Sequence, residues 1–248
     1  MLFRSASVVE HNGHDYARYL GEVFHDDPEF QAVARQWAAE EVQHGQVLAR
    51  WAKLADPGFD FDAAFERFAK QIKLPAGIEM SVRGSRVGEL VARCMVEVGT
   101  SSYYSALMAG TEEPVLKEIC RRIASDEFRH YKMFYDNMKR YLDRYAVGFW
   151  SRVRIGISRV TETEDDELAF AYYTTNHPND GPYARTPYRA AYMVRAYRFY
   201  KPGHFQLAFA MILKALGVRA SDWLLRRASE LAYLFIRGRA LWLARAAA

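Results

Sequence analysis

Apolar residues recur at helical spacing along most of this chain. Between residues 28 and 55, Phe30, Val33, Trp37, Ala38, Val42, Val47, Leu48 and Trp51 form one stripe, leaving Glu29, Arg35 and Gln46 for solvent. The same spacing predicts a helix over 4–24, a short one over about 61–72, and long ones over 85–109 and from the following turn to about 144. The boundaries carry their own signals. Asp27 is placed as N-cap with Pro28 at the first helical position, Asp56-Pro57-Gly58 stops that helix, and Pro75-Ala-Gly77 breaks the connection to the next. Gly110-Thr111-Glu-Glu-Pro114 forms a further turn, with Thr111 as N-cap and both glutamates in the first turn, where the helix dipole favours negative charge. Helices are expected again over about 163–176, 187–199, 203–216 and 221–245, interrupted by His177-Pro178-Asn-Asp-Gly181-Pro182 and by Lys201-Pro202-Gly203. The fold class is all-α, and helices 1–2 and 3–4 read as two similar αα-hairpins.

Composition supports this reading. The 248 residues are 50% hydrophobic, enough for a substantial core, and the 8 prolines and 15 glycines fall between long stretches that contain neither. Cys94 and Cys120 are the only cysteines, which excludes a disulfide framework, a rubredoxin-type centre and a CxxC redox pair. The N-terminus has no apolar core of a signal sequence, and the longest apolar run, Leu207 to Leu213, falls well short of the ~20 residues of a membrane helix. The expected location is the cytoplasm, free or peripheral to the inner face of the membrane.

Charge divides the chain where composition does not. The net +4 conceals 19 basic and 22 acidic residues in positions 1–144 against 15 and 8 in positions 145–248, and Leu168 to Ala248 holds 12 basic and 3 acidic. Residues 1–144 are therefore expected to form a four-helix bundle, with 145–248 a basic helical extension packed on it.

Two ExxH elements carry the chemistry. Glu41-Val-Gln-His44 lies in the second helix and Glu127-Phe-Arg-His130 in the fourth, and positions i and i+3 share a helix face. With 17 Glu and 7 His in 248 residues, chance alone supplies about one half of an ExxH, so a single match means little. A third, Glu22-Val-Phe-His25, sits against a turn with no equivalent partner. Register separates the other two from chance. Measured from a turn at residue 26, Glu41 is 15 positions after and Glu10 is 16 before; measured from 112, Glu127 is 15 after and Glu97 is 15 before. Each hairpin thus sets a Glu opposite an ExxH, about 22 Å up the helix. A Glu from each of two helices plus Glu-x-x-His from each of two others is the ligand pattern of ferritin-like di-iron carboxylate bundles. The candidate metal ligands are Glu10, Glu41, His44, Glu97, Glu127 and His130. Four carboxylates balance two divalent ions with neutral imidazoles, and the mixed O/N donor set suits two Fe (Fe2+/Fe3+), with Mn as an alternative. His11 and His14 are left outside the set.

These residues resemble a family. Trp37-Ala-Ala-Glu-Glu41-Val-Gln-His44-Gly45 is similar to the first iron motif of the soluble acyl-carrier-protein desaturases, W-x-A-E-E-N-R-H-G, and Glu118-Ile-Cys120 through Asp126-Glu127-Phe-Arg-His130 to their second, Q-I-C-x-x-I-A-A-D-E-K-R-H. Glu97-Val-Gly-Thr100 resembles the family's E-x-x-T, and Glu10 with Tyr16 its E-x₅-Y. The likeness covers about residues 5–140. It implies a catalytic role for Thr100 beside the oxygen-binding side of the metals and a second-shell role for Asp126, orienting a ligand histidine. Gly99, Thr100 and Ser101 read either as room for dioxygen or substrate or as a close helix approach. Trp37, Trp51, Tyr103, Tyr104 and Tyr131 read as core, and both cysteines as buried thiols.

The function expected is that of an oxygen-dependent di-iron oxidoreductase, a desaturase or hydroxylase (monooxygenase) of lipid metabolism, taking a hydrophobic acyl substrate and dioxygen. No flavin or nicotinamide fingerprint is present, so electrons must come from an external donor such as a ferredoxin. The basic C-terminal third suits an acidic ferredoxin or acyl carrier protein. Rival readings are a tRNA-modifying di-iron hydroxylase, though the C-terminal arginines are interleaved with apolar residues rather than clustered as for nucleic acid; an enzyme on a membrane lipid surface, with Trp223, Leu224, Leu225, Phe235, Leu241 and Trp242 on an interfacial helix; and a ferritin-like iron oxidation or detoxification protein. A homodimer formed by the basic helices is the plainest use of that region.

Overall fold

The computed structural model describes residues 1–162, 166–177 and 181–246, and among these it is helical with no strand. Contacts divide the chain into two compact units, Met1–Met80 with Glu164–Tyr192, and Ser81–Thr163 with Met193–Ala248. The basic C-terminal region is therefore shared between the two. No helix of the described residues is long and apolar enough to cross a membrane.

The first unit begins with α1 (Leu2–His11) and α2 (Gly13–Val23), which lie against α3 (Pro28–Ala55). The single helix expected over 4–24 is in fact two. Asn12, buried and at φ −77°, ψ 7°, interrupts it where Asn and Gly, two weak helix formers, stand together. Glycine decides how closely these helices approach. A Cβ at Gly45 of α3 would lie 2.6 Å from the His11 backbone nitrogen and 2.7 Å from the Ser7 carbonyl oxygen, and one at Gly13 would lie 2.8 Å from Glu41 Cβ. The helix start is as expected: Asp27 accepts from the Phe30 amide at 3.0 Å with Pro28 at the first position. Of the stripe on α3, Phe30, Trp37, Ala38 and Leu48 are buried, whereas Val47 faces solvent. Short α4 (Phe61–Gln71) and α8 (Asp166–Asn176) cover one end of this layer. There Val8, Ala52, Phe59, Phe68 and Phe170 form a common core, and Ser5 Oγ meets Thr175 Oγ1 at 3.1 Å. The expected start of that helix at 163 and the Pro178-Asn-Asp part of the following break lie outside the described residues.

The second unit is built on the antiparallel pair α5 (Arg86–Gly110) and α6 (Pro114–Leu142). Ser85 caps α5, its Oγ accepting from the Gly88 amide at 3.0 Å. The turn between the pair corrects the expected cap. Thr111 closes α5, and Glu113 opens α6, its carboxylate accepting from the amides of Val115 (3.1 Å) and Leu116 (2.6 Å). Proline explains the shift: Pro114 takes the first helical position and excludes its predecessor from helical backbone, so Glu113 becomes the extended cap. Neither glutamate therefore lies in the first turn, although the Glu113 carboxylate still meets the positive helix end.

A helix absent from the sequence reading, α7 (Phe149–Glu162), docks on α5. A Cβ at Gly88 would sit 2.9 Å from Ile155 Cδ1, and one at Gly156 would sit 3.0 Å from Leu216 Cδ2 of α10 (Pro202–Leu216). Helix α9 (Arg185–Tyr197) precedes α10, and α11 (Asp222–Ala246) packs on α10. The Tyr131 hydroxyl of α6 donates to the Met211 carbonyl of α10 at 2.7 Å.

Two glycine-to-alanine changes should act in opposite directions. Gly45→Ala places its methyl against backbone that cannot swing aside and should lower stability by about 1–3 kcal/mol. Gly99→Ala meets no atom within 4 Å and should raise stability by up to about 1 kcal/mol through helix propensity. Urea unfolding followed by circular dichroism reads both, and a Gly45→Ala protein as stable as its parent would contradict the close approach.

Candidate metal centre

Each unit carries its own cluster of two glutamates and a histidine. In the first unit, Glu10 stands in the last turn of α1, while Glu41 and His44 stand one turn apart midway along α3. The backbone approach at Gly45 and Gly13 brings Glu10 against that face. His44 Nδ1 is 3.8 Å from Glu10 Oε2 and 4.0 Å from Glu41 Oε2.

The second unit repeats the arrangement on α5 and α6. His130 Nδ1 is 3.7 Å from Glu97 Oε2 and 3.6 Å from Glu127 Oε2. None of the six side chains' residues exposes more than 7% of its surface. Thr100, one turn beyond Glu97 on α5, donates its hydroxyl to Glu127 Oε2 at 2.7 Å.

This donor chemistry fits a divalent metal. Within each triad one ligand atom from every residue lies within 4.8 Å of the others. Two carboxylates buried side by side repel, and desolvation penalises both, so a cation between them is the arrangement that lets both stay ionised. The imidazole-to-carboxylate distances of 3.6–4.0 Å exceed a hydrogen bond yet fall within twice a metal–donor bond of about 2.1 Å. In both triads the nitrogen facing the carboxylates is Nδ1. Glu10, Glu41 and His44, and likewise Glu97, Glu127 and His130, are thus buried acidic/histidine clusters that could hold metal.

Other candidates have different placements. Asp126 is half-buried and pairs with Arg129 one turn along α6. Tyr16 donates to both oxygens of Glu167 on α8, at 3.3 and 3.2 Å. His11 is held edge-on against Phe61 and Phe65, with burial lowering its pKa, and His14 is exposed. In the third ExxH, His25 is exposed and Glu22 pairs with Arg18, so that motif is a surface one. Trp37, Tyr104 and Tyr131 are buried, while Trp51 and Tyr103 are half-buried. At Gly99 a Cβ would meet nothing, so no helix approaches closely there.

One buried polar group escaped the sequence reading. Glu89 and Arg93 precede Glu97 on the same face of α5, both buried, with Arg93 Nε 3.6 Å from Glu89 Oε1 and Ser81 Oγ donating to Glu89 Oε2 at 2.7 Å. Their i, i+4, i+8 spacing with Glu97 was the available signal. Arg93 supplies a fixed positive charge one turn below a candidate ligand.

Both cysteines are free and buried, as expected. Burial raises the Cys120 pKa from 9.0 to about 12, and burial together with Glu97 raises that of Cys94 well above the same value. Both are therefore thiols near neutrality, and thiolate is the reactive form. In the folded protein neither should alkylate with iodoacetamide at pH 8, and both should do so in urea; rapid native labelling, read by intact mass, would contradict their burial. The raised pKa values also set a pH limit. Above pH 9 the unfolded chain releases thiol protons that the native chain retains, so stability falls as pH rises.

No curated protein matches the chain. The sequence profile of the fatty acid desaturase family matches residues 15–150, more than half of the 248 residues and a stretch that includes both ExxH elements, Glu97 and Thr100. The chain therefore belongs to the fatty acid desaturase family, and the protein is a desaturase-type oxidoreductase of lipid.

Proposed function

We propose that the two triads form a single di-iron centre and that the protein uses it to introduce a double bond into an acyl chain with dioxygen as oxidant. The observation that carries this reading is the repeated triad: in each unit a Glu from one helix faces Glu-x-x-His from the next, with Nδ1 turned to both carboxylates. The expected ligands are Glu10, Glu41, His44, Glu97, Glu127 and His130.

Two iron ions, or iron with manganese, supply the reduction of dioxygen and the removal of hydrogen from an unactivated C–H bond. The reaction balances as one saturated –CH2–CH2– unit, one dioxygen, two electrons and two protons giving one –CH=CH– unit and two waters. The chain's own part is electrostatic and positional. Four glutamates match the charge of two divalent ions, so the interior stays near neutral and the histidines serve as uncharged donors. Thr100 commits its hydroxyl proton to Glu127 Oε2, which fixes the orientation of that carboxylate. Since the sequence carries no flavin or nicotinamide fingerprint, the proposed reductant is a separate one-electron carrier such as a ferredoxin.

Iron content and product formation test this together. The reconstituted protein should hold two irons per chain, and Glu41→Ala or His130→Ala should lose iron while helical content is largely retained. Two irons per chain in either variant would sink the ligand assignment. With a ferredoxin, its reductase and dioxygen, acyl substrates should yield an unsaturated product by mass spectrometry. A hydroxylated acyl product or base, or iron oxidation with no organic product, would replace desaturation by the corresponding chemistry. Thr100→Val should keep its iron and lose activity by about 10–100-fold, the order expected when a group orienting a ligand is removed; Thr100→Ser should restore most of it.

A further inference from the structure

We infer that α11 is a surface-lying membrane helix whose outward face docks on an anionic phospholipid bilayer. The helix meets the second unit through Leu225 and Ser229, both buried, with Ser229 Oγ donating to the Leu225 carbonyl at 2.6 Å. At 100° per residue the opposite side carries Trp223, Leu231, Leu234, Phe235, Leu241 and Trp242. Each of these exposes 56–68% of its surface. They form a row about 28 Å long, interrupted by the Arg227–Glu230 pair, on the side where a water-facing helix would be polar. An exposed apolar row of this extent marks an interaction surface.

Charge selects the occupant. Arg226 and Arg237 lie along one flank of the row and Arg239 along the other. The arginine within it, Arg227, is paired with Glu230 at 3.1 Å. Tryptophan stands at both ends, as suits a ring with an apolar body and a polar N–H at the headgroup level. Such a helix lies in the plane of the interface, apolar side among the upper acyl carbons and arginines on the phosphates. Pairing with a second copy fits poorly. An antiparallel two-fold contact would set the Arg226–Arg237 flank against itself, with Arg226 level with the other copy's Arg237, and a parallel contact would set that flank against Arg239. An anionic lipid surface meets all three arginines with opposite charge.

The link to chemistry runs within the second unit. α11 packs on α10, and α10 is tied to α6, the helix of Glu127 and His130, through Tyr131 and Met211. A lipid-facing α11 would hold this part of the enzyme at the phase where acyl chains reside.

The test is co-sedimentation of the full chain with vesicles of phosphatidylcholine alone or mixed with phosphatidylglycerol. The protein should bind the mixed vesicles more tightly, on the order of tenfold or more, with a salt-sensitive affinity and a blue shift in tryptophan emission. The double variant L231E/F235E should lose vesicle binding with helical and iron content unchanged. The triple variant R226Q/R237Q/R239Q should lose the preference for phosphatidylglycerol. Absence of binding to either vesicle overturns the inference. So does a wild-type dimer by sedimentation that becomes monomeric in L231E/F235E, or binding to an acyl carrier protein that this variant abolishes without affecting vesicles. Vesicle binding is read without turnover, so its failure leaves the desaturase reading standing, and failure to form a double bond leaves membrane docking standing.

Discussion

Carboxylates buried in a helical interior must face cations or give up their charge, and each unit of this protein buries two of them beside one imidazole. Much of the surrounding structure serves that requirement. The ligand-bearing helices α3 and α6 run 28 and 29 residues, long enough to hold Glu41, His44, Glu127 and His130 several turns from the solvated ends. Gly13 and Gly45 give up helix propensity so that α1 and α2 can press against α3 and deliver Glu10. In the second unit, Thr100 fixes one glutamate and Arg93 adds a buried positive charge near another. These are costs in local stability that are compatible with holding a metal between the carboxylates.

Burial governs the thiols of the second unit as well. Cys94 and Cys120 are buried and stay protonated near neutrality. On α11 the basic residues border an apolar row instead of clustering alone.

Individual residues show how far the sequence could be read. The stripe on α3, the Asp27 cap and the pairing of ExxH with an equidistant Glu were all visible, because helical period and hairpin register depend on spacing. The break at Asn12 was missed because the apolar period passes through it unchanged. Thr111 was chosen over Glu113 because serine, threonine and aspartate dominate caps, whereas here the proline at 114 decided the position. Helix α7 was missed although Trp150, Val153, Ile157 and Val160 recur at helical spacing, and among its described side chains Ile155 and Gly156 are the buried ones.

By itself the sequence determined the helical class, the main hairpins, the six candidate ligands and the basic character of the C-terminal third, since each follows from periodicity, register or charge count. Tertiary structure alone decided the rest. Whether a glycine is a point of contact or open space, as at Gly45 and Gly99, depends on the neighbouring helix. Which nitrogen of each histidine faces the glutamates, and which side of α11 is left to lipid, depend on how side chains and whole helices are oriented by packing. Those are long-range relations, and a linear pattern carries only the local ones.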